Sequence, residues 1–91
     1  MTIEEQEQYF YERLRQERKK SKLSQLELAV ESGVSQNMIA YIETGKRTPT
    51  INTVIKLCNA MNISPAILFS VSDDDKEKAK QQVLTLIQRY M

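Results

Sequence analysis

The chain has 91 residues, 41% hydrophobic and 27% charged, with a formal charge of +1; this describes one small globular domain, not a disordered tail. Histidine is absent and Cys58 is the only cysteine, which excludes a Cys/His zinc cluster, a histidine base and an intrachain disulfide. No apolar run approaches the roughly 18 residues that span a membrane. The start, Met-Thr-Ile-Glu-Glu, lacks the basic and apolar stretches of a signal peptide, so a cytoplasmic protein is expected.

With only two glycines and two prolines, the pattern is helical nearly throughout. Thr2 with Glu5 forms a capping box, hydroxyl and carboxylate each satisfying an otherwise free amide. A first helix follows to about Lys20, with Ile3, Phe10 and Leu14 at the spacing of one face. Its two halves differ in charge. Residues 1–12 hold four glutamates and no base, whereas residues 13–22 hold six bases (Arg13, Arg15, Arg18, Lys19, Lys20, Lys22) against Glu17. Such a basic block suits an anionic partner, although a solvated helix face is its commoner use.

Ser24 and Glu27 make a second capping box, opening a short helix with Leu28 and Ala29 that stops at Gly33. Ser35 caps a third helix, with Ile39 and Ile42 inward, ending at Gly45. Pro49-Thr50 starts a fourth, whose buried stripe is Val54, Leu57, Cys58 and Met61, with Asn62 as its stop. Ser64-Pro65, a cap followed by proline at the first helical position, begins a short fifth helix with Ile67, Leu68 and Phe69. Ser72 and the carboxylates of Asp73, Asp74 and Asp75 suit the positive end of a sixth. Its apolar side is Ala79, Val83, Leu86, Ile87 and Tyr90. That stripe either covers its own domain or pairs with a second copy. The expected architecture is all-α, with a domain over residues 1–70 and a C-terminal helix over 71–91 for dimerisation or partner contact.

Function concentrates in residues 23–49. Two short helices meet at a Gly33-Val34-Ser35 turn, where Gly33 reverses the chain without a side-chain clash and Val34 plugs the corner. With Ile39 and Ile42 inside, Gln36, Asn37, Ala40 and Tyr41 project outward. That arrangement is a helix-turn-helix.

From Leu14 to Phe69 the sequence resembles the DNA-binding domain of the Cro/C1-type (Xre-like) helix-turn-helix family, which includes the lambdoid phage repressors. The resemblance rests on Leu14-Arg15-x-x-Arg18, Leu23-Ser24-Gln25, Leu28-Ala29 and Gly33-Val34-Ser35. It continues through Ile39, Ile42-Glu43, Gly45-Lys46-Arg47-x-Pro49 and Leu68-Phe69. Leu26 and Val30 depart from it, since the family usually has polar residues there. It implies a five-helix lambda-repressor-like domain plus an extra C-terminal helix.

It also implies roles. Gln36, Asn37, Ala40 and Tyr41 would meet base edges in the major groove. Ser24, Gln25, Thr44, Lys46 and Arg47 would hold phosphates, which orient the protein rather than specify sequence. Arg18 and Glu43 match the family's structural ion pair, and Lys19, Lys20 and Lys22 would add general attraction. Leu68, Phe69, Val83, Leu86, Ile87 and Tyr90 would form a dimer interface. No catalytic residue, metal site or cofactor is expected. The expected protein is a transcriptional regulator, a repressor binding a palindromic double-stranded DNA operator as a homodimer. The alternative is an antitoxin-type module that neutralises a partner protein.

Overall fold

The computed structural model describes residues 2–70, which form four α-helices and one 3-10 helix, without a strand. They are α1 (Ile3–Lys20), α2 (Gln25–Ser32), α3 (Gln36–Glu43), α4 (Ile51–Met61) and a 3-10 helix over Pro65–Phe69. The expected C-terminal helix, with Asp73, Asp74, Asp75, Ala79, Val83, Leu86, Ile87 and Tyr90, lies outside the described residues. Among the described residues no helix is long and apolar enough to cross a membrane.

Each helix starts where a hydroxyl takes up a free amide. Thr2, Ser24, Ser35, Thr50 and Ser64 all have extended backbones and accept from an N–H two or three residues on. The stops are equally local. Gly33 and Asn62 take the left-handed conformation at the ends of α2 and α4. After α1 the left-handed residue is Lys22, and the amide of Leu23 returns 3.2 Å to the carbonyl of Arg18.

Leu14, Leu28, Ile39, Ile42, Leu57, Cys58 and Leu68 are fully buried, so every element sends a side chain into one core. α2 and α4 pack together, α3 closes against α1 and α2, and the 3-10 helix bridges α1 and α4. Burial raises the pKa of the Cys58 thiol, which therefore stays a protonated packing group.

Two expectations need correction. The fifth helix is a 3-10 turn: Ile67 bonds back to Ser64 and Ser70 to Ile67, each three residues on. Five residues that begin with a proline are too few for a ladder of i→i−4 bonds. The face of α1 also differs. Its buried side runs Phe10, Tyr11, Leu14, Glu17 and Arg18, while Ile3 is 73% exposed. The first turns of α1 border an open apolar groove, so Ile3 has the helical spacing of the buried face without a described residue that covers it.

Candidate nucleic-acid interface

The turn between α2 and α3 sets the geometry. Gly33 has φ +77° and no atom within 4 Å of where a Cβ would stand, so only its backbone conformation demands glycine. Val34 is buried at the corner, and Ile39 and Ile42 fix α3 against the core. Gln36, Asn37 and Tyr41 are consequently exposed. Ala40, expected beside them, is half-buried at the edge of this face.

The N-terminus of α3 is capped by the Ser35 hydroxyl, which accepts from the Met38 amide at 3.1 Å. No acidic residue lies in its first turn. Its positive end thus faces outward without a compensating carboxylate, beside two side-chain amides. The start of α2 is different. The amide of Ser24 donates to the Glu27 carboxylate at 3.1 Å, and the Ser24 hydroxyl accepts from the amide of Glu27 at 3.0 Å. The amide of Ser24, followed by its hydroxyl, holds the Glu27 carboxyl below the usual carboxylate range. Among the expected phosphate ligands, Ser24 therefore already has its amide on an anion.

Gln25 is half-buried, and its amide nitrogen donates to Glu43 at 3.2 Å. One N–H of that amide remains for a phosphate. Thr44 has both donors engaged: its hydroxyl gives to the Ala40 carbonyl at 2.8 Å, and its amide gives to the same oxygen at 3.1 Å. In this conformation Thr44 offers acceptors only, which a phosphate oxygen does not want. Lys46 and Arg47 are exposed, and their amides both return to the carbonyl of Tyr41, at 2.8 and 3.2 Å. The Arg47 guanidinium lies 5.8 Å over the Tyr41 ring. Tyr41 and Arg47 are thus one unit at the far end of α3, a pairing that sequence reading missed.

Gly45 makes the reversal into this segment. It has φ +75°, and an added Cβ would stand 3.3 Å from the Tyr11 ring. Tyr11 is held there in turn, its hydroxyl 3.3 Å from that of Thr48.

Arg18 and Glu43 join the two ends of the motif. Arg18 gives Nε and Nη2 to the two oxygens of Glu43 at 2.7 and 3.0 Å, and Nη1 to the carbonyl of Leu23 at 2.9 Å. Both residues are only 9% exposed. This planar, bidentate pair is satisfied on every side, since Gln25 also donates to Glu43. It ties the end of α1 and the entry of α2 to the end of α3.

The basic block presents less charge than the sequence reads. Glu17 is buried and accepts from Arg13 at 3.1 Å and from Lys20 at 3.5 Å. With Arg18 committed to Glu43, three of the six bases have carboxylate partners. The i, i+4 spacing of Arg13 and Glu17 is the signal that finds this. Of the residues put forward for a dimer, Leu68 is fully buried in the chain's own core and has no surface to offer. Phe69 is 68% exposed and its ring centroid lies 5.0 Å from that of Phe10. Among the described residues no group of three or more Cys, Asp or Glu is placed to hold a metal ion.

A helix-turn-helix family model matches residues 14–68. An uncharacterised HTH-type transcriptional regulator, y4dJ of Sinorhizobium fredii, is 34% identical over 57 residues, spanning 63% of this chain and 74% of the relative. Among solved structures, the restriction-modification controller protein C.AhdI from Aeromonas hydrophila has a TM-score of 0.65 at 36% identity, covering 67% of this chain and 92% of that one.

Proposed function

Because this chain belongs to the Cro/C1-type helix-turn-helix family of DNA-binding transcriptional regulators, we propose that it is a sequence-specific repressor occupying a palindromic operator as a homodimer. The observation that carries this reading is the start of α3. Gln36 and Asn37 stand exposed at a helix end that has no acid of its own, on a helix locked by Ile39 and Ile42.

In this reading the N-terminal end of α3 enters the major groove, and the two amides read base edges, with adenine the best bidentate partner. Half-buried Ala40 leaves room for a thymine methyl. Tyr41, braced by Arg47, reaches a base edge or a phosphate, and the charge of Lys46 meets the backbone. Gln25 gives its remaining N–H to a phosphate, its orientation set by Glu43. An eight-residue helix buries too little surface for tight specific binding, which favours two copies on half-sites about one turn, or 34–36 Å, apart. Repression then needs no chemistry, only occupancy of a promoter.

The test is selection from a random duplex library at about 150 mM salt, where nonspecific phosphate attraction is weakened. An enriched two-fold symmetric motif is expected, and Gln36→Ala or Asn37→Ala should relax it. A motif without symmetry argues against the dimer, and no enrichment argues against sequence-specific binding. A second reading, the antitoxin-type module, is favoured by one feature: Leu26 and Val30 are exposed on α2. A stable complex with a neighbouring gene's product, lost in Val30→Glu, would support it.

A further inference from the structure

An apolar groove of about 460 Å³ lies apart from the α2–α3 face. Its walls are the first turns of α1, the start of α4 and the 3-10 helix, through Ile3, Phe10, Ile51, Val54, Ile55 and Phe69. Ile3, Ile51, Ile55 and Phe69 are exposed there, although large apolar side chains gathered on one surface usually have a covering partner.

We infer that this groove is the docking site for the C-terminal segment of the same chain, residues 76–90, through its stripe Ala79, Val83, Leu86, Ile87 and Tyr90. Two observations and one general principle converge on that occupant. The described chain ends at the groove: Phe69 lines it, and the Ser70 carbonyl accepts from the Tyr9 hydroxyl of α1 at 2.8 Å. Twenty-one residues follow Ser70, and the stretch from Val71 to Lys78 is ample to turn back. A segment tethered beside its site has an effective concentration in the millimolar range, which favours its own groove over a second copy's.

The helix-turn-helix match covers residues 14–68, so the first turns of α1 and the C-terminal segment both lie outside it. The first carries part of an apolar wall, and the second carries an apolar stripe in its sequence. Of the two uses the sequence leaves open for that stripe, this assigns it to its own domain.

The decisive experiment is disulfide trapping in the full chain with Ile55→Cys and Leu86→Cys; the buried Cys58 stays out of the reaction. Under mild oxidation the expected product is an internal cross-link that migrates as a monomer on a non-reducing gel, several-fold above a control pair with Leu26→Cys. A cross-link at dimer mass would place the segment in a second copy's groove and overturn the assignment to its own domain. No cross-link above control would overturn docking altogether. Independently, Val83→Asp with Leu86→Asp should raise the fluorescence of a dye that binds apolar surface and lower the Tm. Unchanged dye binding and Tm would also overturn it. Neither readout involves DNA, so a negative result leaves the regulator reading standing.

Discussion

The helices α2 and α3 begin alike and are finished differently. Each has a serine cap whose hydroxyl accepts from the third amide of its helix. In α2 the reciprocal Glu27 carboxylate closes the box and supplies a negative charge to the helix's positive end. In α3 the corresponding position is Met38, half-buried against the core, and the positive end is left to solvent. Capping alone therefore does not make an anion site. Of two equally capped ends, the one without its own acid is suited to receive a polyanion, while the other is suited to be held in place. The Arg18–Glu43–Gln25 network does the holding.

Removing that network should have the largest effect. Arg18→Ala leaves Glu43 buried and charged, so stability should fall by about 3 kcal/mol, read by urea denaturation. Replacing both partners with apolar residues should cost far less, because no charge is then stranded. An equal loss in the double variant would mean that the pair contributes net attraction.

The difference between the two helix ends can be erased from either side. Asn37→Asp is isosteric and puts a carboxylate in the first turn of α3. It should weaken operator binding by about tenfold or more, while the Tm holds or rises slightly. Binding unchanged at constant salt would remove α3 from the DNA. Glu27→Gln is the opposite change and should leave sequence preference intact. Because the folded pKa of Glu27 is lowered, its stabilising contribution is present above its usual value of 4.5 and is lost as pH falls through the depressed value. The Tm difference between wild type and Glu27→Gln should therefore be full at neutral pH and vanish in acid. A constant difference would show that the carboxylate charge is not what caps α2.

The two glycine turns that bound the motif should separate by a smaller margin. Gly33→Ala meets only left-handed backbone strain, about 1 kcal/mol. Gly45→Ala meets the same strain and the Tyr11 ring as well, and should be the less stable of the two by thermal melting.

Much of this was legible because it is local. A serine three residues before a glutamate, or a glycine after a run of periodic leucines, acts through bonds spanning three or four residues, and α2, α3 and α4 begin and end there. The outward set on α3 followed from Ile39 and Ile42 pointing in. Where the reading failed, the cause was distant. Helical spacing grouped Ile3 with Phe10 and Leu14, but no described element reaches far enough to bury Ile3. Leu68 and Phe69 are adjacent and equally apolar, yet the tight 3-10 turn sends one into the core and leaves the other on the surface. The basic block read as six free cations, although the i, i+4 spacing of Arg13 and Glu17 and the expected Arg18–Glu43 pair already pointed to partners; the folded chain shows Glu17 and Glu43 taking three of them.

What the sequence determined alone is the string of caps, stops and apolar spacings that makes a helix-turn-helix, since each is fixed by neighbours along the chain. Tertiary structure decided which charges remain outside and where an apolar groove is left. Those depend on contacts such as that between Arg18 and Glu43, 25 residues apart, and no local bond encodes them.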